Sequence, residues 1–211
     1  ESAFEDCDSL TSINVSNGNK NYISVDGVLF NKDKTSLVVY PAGKSNSSYI
    51  IPDGVLSVEN SSIFGCENLK SVNIPNSVTS IGTGAFAQCT ALVDITVPDG
   101  IESVGNGAFA HTAYYNDSHN WDNGVLYLGN YIVGINREDV KGEVVIKNGV
   151  KSIPYEAFYS CELLNSIIIP DSVTMIDEGA FKGCSRLTGV EIPNLVTAIN
   201  DAVFEGCYAM T

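Results

Sequence analysis

Six cysteines are the residues whose chemistry and spacing first suggest a role. Cys66 and Cys89 are 23 residues apart, and Cys161, Cys184 and Cys207 follow one another at the same interval. A cysteine nucleophile needs an exposed thiol of low pKa beside a histidine, whereas a regular spacing is typical of small side chains packed in one buried column. We therefore expect free, buried thiols, with disulfides between neighbouring coils as the alternative.

The two histidines, His111 and His119, are the remaining candidates for acid–base or metal chemistry. Asp117 and Asp122 are near them in the sequence, but the histidines are not spaced as metal ligands on one helix face. None of the glycines belongs to a phosphate-binding motif. The sequence therefore predicts no catalytic residues, no metal site and no cofactor, and we expect that the protein is not an enzyme.

An aromatic segment is the first candidate for ligand binding. It contains Tyr114, Tyr115, His119 and Trp121, the last of which is the only tryptophan in the sequence. Tyrosine and tryptophan supply rigid contact area in binding hot spots and can stack on sugar rings. The alternative is that these rings fill an irregular part of the core and pack against a β-hairpin.

These residues belong to a chain that repeats itself every 23 residues. An Ala-Phe pair or its equivalent recurs at this interval within two blocks, at Ala85-Phe86 and Ala108-Phe109 and then at Ala157-Phe158, Ala180-Phe181 and Val203-Phe204. Fixed periods of about 20 to 50 residues are typical of stacked repeats, in which neighbouring units bury each other's apolar side chains. The sequence therefore predicts a solenoid.

Each repeat predicts a short strand followed by turns. Apolar and polar residues alternate over Leu69–Ile74, as in a strand with one buried face, and Pro75 ends that strand because it has no N–H to donate. Asn76-Ser77 favours a turn, and a second short strand is expected over Val78–Ile81. The Ala-Phe-x-x-Cys segment is compatible with a single helical or 3₁₀ turn.

Two insertions interrupt the repeat, at about 16–49 and 112–145. Each contains two apolar segments separated by turn residues, which predicts a β-hairpin. Val25–Phe30 precedes Leu37–Tyr40 in the first insertion, and Asp122–Tyr127 precedes Tyr131–Val133 in the second. We expect both hairpins to stack in line with the repeats, so that residues 1–211 form one solenoid domain, a fragment of a longer protein.

The frame Leu-x-x-Val-x-Ile-Pro-x-x-Val-x-x-Ile-Gly-x-x-Ala-Phe-x-x-Cys, intact from Leu69 to Cys89, resembles the BspA-like (Treponema-type) leucine-rich repeat. The resemblance implies an α/β repeat solenoid, a leucine-rich-repeat arc with a parallel β-sheet along one face, on a bacterial cell surface. Three local departures are Phe64, which is one residue too close to the next cysteine, Thr112 in place of a cysteine, and Lys147 in place of a proline.

The solvent side of the expected parallel sheet is the second candidate binding surface. The positions five and seven residues after each cysteine are mostly small and polar, and coils stack at intervals of about 4.8 Å. The residues of this surface that we predict to bind a ligand are Asn73, Asp94, Thr96, Ser166 and Glu191. The alternative is that they only keep the face soluble.

Composition narrows the class of partner. The formal net charge of −14 and the pI near 4.3 argue against nucleic acids and anionic membranes, which both attract basic patches. No stretch approaches the roughly 18 apolar residues of a membrane span. With the family resemblance, we expect a non-enzymatic extracellular adhesion module that recognises proteins or glycans on a host or bacterial surface. The alternatives are a structural spacer that holds another domain away from the cell surface, or a carbohydrate-binding module appended to an enzyme.

Overall fold

The computed structural model describes residues 3, 4 and 6–211, which form two compact units, Glu1–Ser118 and His119–Thr211. Each unit is built from coils of short strands and tight turns that stack at the 23-residue interval. The predicted fold class, a repeat solenoid with parallel strands, is therefore confirmed. The expectation that residues 1–211 form a single domain stays a prediction.

The first unit contains two sheets. Its strands and helix are β1 (Tyr22–Val25), β2 (Val28–Asn31), β3 (Ser36–Val39), β4 (Ser48–Ile50), β5 (Ser57–Val58), β6 (Ser71–Asn73), β7 (Ser80–Ile81), β8 (Asp94–Thr96), β9 (Ser103–Val104) and α1 (Ala113–Asn116). Strands β4, β6 and β8 form one parallel sheet, and the order β1-β2-β3-β5-β7-β9 forms the other. A regular coil therefore contributes one strand to each sheet, as β6 and β7 do.

The first predicted hairpin lies in line with the regular coils. β2 and β3 pair antiparallel, and β3 then pairs parallel with β5, with Leu37 opposite Val58. A further turn at Asp26-Gly27 joins β1 to β2, and both of its residues have positive φ, 50° and 77°. Paired positive φ angles are typical of the two-residue turns that match the twist of antiparallel strands.

Phenylalanines stack inside the coils because each meets its counterpart one coil away. The rings of Phe86 and Phe109 lie 5.1 Å apart and are nearly parallel, and those of Phe158 and Phe181 lie 5.4 Å apart. All four side chains are fully buried. Such aromatic pairs add to the stabilisation that comes from area burial alone.

The third side of each coil is a series of turns rather than a helical turn. The Phe86 N–H donates to the carbonyl of Ala108 in the next coil at 2.7 Å, so this segment forms its own ladder between coils. Gly84 and Gln88, two residues before and after the phenylalanine, have φ angles of 60° and 62°. A left-handed residue on each side prevents a right-handed helix from forming here.

Ile63, not Phe64, occupies the phenylalanine column in the coil that ends at Cys66. The Ile63 N–H donates to Ala85 O at 2.8 Å, as its counterpart Phe86 does one coil later. Ile63 is completely buried, whereas Phe64 is 43% exposed. The departure expected at Phe64 is therefore absent, since the spacing between the column residue and Cys66 is the regular one.

The second unit begins with an antiparallel sheet and continues as parallel coils. Its strands are β10 (Trp121–Asp122), β11 (Val125–Leu128), β12 (Tyr131–Ile135), β13 (Gly142–Val145), β14 (Ser152–Ile153), β15 (Leu164–Ile168) and β16 (Met175–Ile176), and a 3₁₀ helix at Ser118–Asn120 spans the boundary between the units. β10, β11 and β12 are antiparallel, which confirms the second predicted hairpin. β13 pairs parallel with β15, and β14 with β16.

Candidate functional site

Two rows of side chains follow the exposed face of the β4-β6-β8 sheet. The pairing places Ser71 beside Asp94 and Asn73 beside Thr96 on the next strand. Asn73, Asp94 and Thr96 are all exposed, while the residues between them on each strand point towards the core. The structure thus brings together the three residues of this unit that the spacing of the cysteines had predicted.

Ile50 extends the row of Asn73 and Thr96, and the sequence analysis did not select it. It pairs with Asn73 in parallel register and is 71% exposed. No cysteine precedes it at the diagnostic distance, because the first insertion ends there. Counting 23 residues back from Asn73 would have identified it.

An open groove lies where these strands end, with a volume of about 380 Å³. Its polar side chains are Asp53, Asn73, Asn76 and Thr96, and Ile50, Pro75 and Pro98 are among its apolar residues. Asp53 and Asn76 are equivalent turn residues of consecutive coils. The groove therefore has one row of side chains from the strand ends and a second row from the turns.

The turns beside the groove are held by hydrogen bonds between coils. The Ser77 hydroxyl donates to Val55 O at 2.8 Å and accepts from the Gly54 N–H at 3.0 Å. The strand ends are fixed in the same way, since the Ile51 N–H donates to Asn73 O and the Ile74 N–H to Thr96 O, both at 3.0 Å. Hydrogen bonds between neighbouring coils thus fix the backbone that lines the groove.

The parallel sheet of the second unit presents a different face. Val145 pairs with Ile168, and the two side chains are 55% and 49% exposed. Ser166 pairs with Glu143, and its hydroxyl donates to the Glu143 carboxylate at 3.4 Å. Exposed Glu191 follows Val190, which forms a bridge with Ile167. Ser166 and Glu191 therefore lie on one sheet face, as predicted.

The predicted aromatic segment is divided between the two units. Tyr114 and Tyr115 belong to α1, whose N-cap Thr112 accepts the Tyr115 N–H at 3.0 Å. Tyr115 also lies against the ring of His111, at 5.8 Å between centroids. Burial raises the pKa of Tyr114.

The remaining two residues of the segment belong to the second unit. His119 is exposed in the 3₁₀ helix. Trp121 begins β10, is half-buried and pairs with Leu126. The prediction that the four aromatic residues form one binding site stays a prediction.

Five cysteines are buried and unpaired, and the sixth, Cys7, is exposed and unpaired. Four of the buried thiols, those of Cys66, Cys89, Cys184 and Cys207, donate to carbonyls of the preceding coil. Cys89 Sγ lies 2.9 Å from Ile63 O, and Cys184 Sγ lies 3.1 Å from Phe158 O. Burial raises the pKa of Cys161 to about 11, so this thiol stays protonated near neutral pH. The expectation of free, buried thiols is thus confirmed except at Cys7.

Within the described residues, no group of three or more histidine, cysteine or acidic side chains is placed to hold a metal ion. The same part of the chain contains no helix that is both long and apolar enough to cross a membrane. The exposed sheet faces and the groove are therefore candidate sites, beside the aromatic segment, which stays a predicted one.

Stacked 23-residue coils with a parallel sheet and a column of buried apolar side chains define a leucine-rich-repeat protein. The family model for the BspA type leucine rich repeat region matches six copies over residues 39–132 and 140–211. The chain belongs to this family of repeat proteins, whose members include bacterial surface proteins.

Several solved structures are similar to this chain. A leucine rich cell surface protein from Faecalibacterium prausnitzii is 32% identical over 90% of this chain and 43% of its own, with a TM-score of 0.54. The pneumococcal vaccine antigen PcpA is 25% identical over 88% of this chain and 34% of its own, with a TM-score of 0.45. A leucine rich repeat protein of T. pallidum is 25% identical, with coverages of 94% and 91% and a TM-score of 0.45.

The chain spans less than half the length of the F. prausnitzii and pneumococcal proteins. None of the curated proteins compared with it matches.

Proposed function

We propose that this chain is a non-enzymatic adhesion module of a bacterial surface protein, and that it recognises proteins or glycans on a host or bacterial surface. The observation that carries the proposal is the exposed face of the parallel sheets. There, side chains of equivalent coils stand in register and apolar residues are left exposed among polar ones. Membership of a family that includes cell surface proteins supports the same conclusion.

The mechanism of binding is the addition of many small contacts. Ile50 in the first unit and Val145 with Ile168 in the second are the apolar side chains of the two faces. Polar neighbours such as Asn73 and Ser166 supply hydrogen bonds around them. Each contact is weak, but copies of the module on one cell surface would engage together, which raises the effective affinity.

The extracellular location is part of the proposal. A formal net charge of −14 keeps such a module soluble, and it disfavours contact with nucleic acids and anionic membranes. Burial raises the pKa of the Cys161 and Cys184 thiols, so these two remain protonated and poorly nucleophilic near neutral pH.

The test is a binding screen of the purified chain at physiological salt, against a glycan array and immobilised fibronectin, fibrinogen and collagen. We expect saturable binding to at least one class of ligand. For a protein ligand, Ile168→Asp should weaken binding at least tenfold. Met175→Asp is the matched control, because Met175 is 39% exposed but lies on the other sheet of the same unit.

Saturable binding by neither class of ligand, with the fold confirmed by circular dichroism, would contradict the proposal. That result would favour the spacer. Turnover of a substrate by the purified chain would also contradict it.

A further inference from the structure

We propose that the groove of the first unit binds a neutral oligosaccharide. The groove lies at the ends of β4, β6 and β8 and is lined by Ile50, Asp53, Asn73, Asn76 and Thr96. This inference rests on the proposed adhesive function and assigns one ligand class to one of its surfaces.

The polar groups of the groove are of the kind that suits sugar hydroxyls. A sugar hydroxyl both donates and accepts hydrogen bonds, and the side chains of Asn73, Asn76 and Thr96 can do both as well. Within the described part of the chain, the side-chain amides of Asn73 and Asn76 make no hydrogen bond to the protein. Both residues are exposed, so these groups are available to a ligand.

Apolar surface complements these polar groups. Ile50 is 71% exposed at one end of the row, and half-buried Val97 also lines the groove, whereas Pro75 and Pro98 are buried beneath it. A pyranose ring has a C–H face that packs on such surface while its hydroxyls reach the polar groups. The mixture of the two kinds of surface distinguishes the groove from a purely apolar docking face.

The charge of the groove selects against acidic sugars. Asp53 is the ionisable residue among the nine residues that line it, all of which the structure describes, and none of them is basic. A sialylated or sulfated chain would therefore meet a carboxylate without a compensating cation, in a protein of net charge −14. Recognition of an acidic group requires the opposite arrangement.

The dimensions of the groove favour a short chain rather than a single sugar. Its volume of about 380 Å³ is within the range of small-molecule sites, although it is open to solvent. Equivalent positions of the coil recur at intervals of about 4.8 Å, so that consecutive sugar units can contact successive side chains of each row. The hydrogen bonds of Ser77 to Val55 and Gly54 hold the turns before any ligand binds.

The experiment compares the wild-type chain with groove variants on an array of neutral, sialylated and sulfated glycans. Hits are then titrated by calorimetry. We expect the hits to be neutral oligosaccharides, and we expect Asn73→Ala and Thr96→Val each to weaken binding at least tenfold. Thr90→Val is the matched control, because Thr90 is exposed in the same unit and lies outside the lining of the groove; it should bind as the wild type does.

Circular dichroism and thermal unfolding separate loss of binding from loss of fold, and the exposed positions of Asn73 and Thr96 make unfolding unexpected. The inference is overturned if no neutral glycan binds, if acidic glycans bind better, or if the groove variants bind like the wild type. Saturable binding of a protein without binding of any neutral glycan would overturn the groove assignment and leave the adhesive function standing. Absence of binding to both proteins and glycans would overturn the groove assignment and the adhesive function together.

Discussion

The residue types in the cysteine column match the backbone carbonyl groups that lie beside them. Cys207 Sγ lies 3.1 Å from Phe181 O, and Cys184 bonds in the same way to the coil before it. Cysteine is small enough for the buried column, and its S–H is a weak donor to a carbonyl that points into it. At Thr112 a hydroxyl replaces the thiol and donates to Phe109 O of its own coil at 2.9 Å. The column thus requires a small donor more than it requires sulfur.

Ser62 differs in type from the other residues of its column, and its buried hydroxyl lowers the stability of the fold. It occupies the position of Ala85 and Ala108 in the next two coils, and it is buried with no hydrogen-bond partner for its hydroxyl among the described residues. We expect Ser62→Ala to raise the free energy of unfolding by about 1 kcal/mol, because a buried hydroxyl without a partner carries a desolvation penalty. Urea denaturation measures the change.

The control for Ser62→Ala is Ser45→Ala, at an exposed serine of the same unit. This change should alter the free energy of unfolding by less than about 0.5 kcal/mol. A loss of stability in Ser62→Ala would contradict the assignment of an unpaired hydroxyl at this position.

At the scale of elements, coils approach each other closely where glycines face the preceding turn. A Cβ built on Gly105 would lie 2.6 Å from Gly82 C and 2.7 Å from the Thr83 Cα. The Gly105 N–H also donates to Ile81 O at 2.8 Å. Glycine at this position therefore sets how tightly two coils can stack.

We expect Gly105→Ala to lower the free energy of unfolding by about 1–3 kcal/mol or more, because the added methyl group meets backbone atoms that cannot move independently. Gly100→Ala is the matched control. Its Cβ would lie 4.0 Å from the nearest atom, Asn76 O, and the change should remain within about 0.5 kcal/mol. Equal effects of the two substitutions in urea denaturation would contradict the close approach at Gly105.

At the scale of the whole chain, the buried thiols report on the integrity of both units. Cys66 and Cys89 belong to the first unit, and Cys161, Cys184 and Cys207 to the second. Burial raises the pKa of Cys184 to about 12, with a smaller contribution from its cysteine neighbours. Protection of these thiols therefore depends on the coils remaining stacked.

We expect a thiol reagent at neutral pH to label Cys7 rapidly in the native protein and all six cysteines in the unfolded chain.

An unfolded thiol titrates near 8.5, whereas the pKa of Cys161 in the folded protein is about 11. Between these values the folded state binds more protons, so the contribution of the thiol to stability is complete below about pH 8.5 and is lost as the pH rises towards 11.

Urea midpoints at pH 7.5 and pH 10.5 measure this loss of stability. A Cys161→Ala, Cys184→Ala double variant is the control, and its midpoint should depend less on pH over this range. The same dependence in the variant and the wild type would contradict the role of these thiols, and rapid labelling of six thiols in the native protein would contradict their burial.

The sequence by itself determined the period, the strands and the buried columns. Each buried residue packs against the equivalent residue one coil away. The 23-residue spacing alone therefore predicts that side chains such as Val72 and Phe86 are buried. The same argument located Asn73, Asp94 and Thr96 on one exposed face. It failed at Phe64, because neighbouring phenylalanine and isoleucine both suit the column and only the ladder from Ile63 to Ala85 decides between them.

Only the tertiary structure decided which side chains share the groove. The 23-residue period links Ile50 to Asn73 and Thr96, and separately links Asp53 to Asn76, but it does not show that the row from the strand ends and the row from the turns line one groove. Their proximity depends on where each proline ends its strand and on the hydrogen bonds that join the turns of neighbouring coils. The 23-residue repeat determines whether a given position of the coil is buried or exposed. The packing of turns against strand ends determines which exposed positions lie close together.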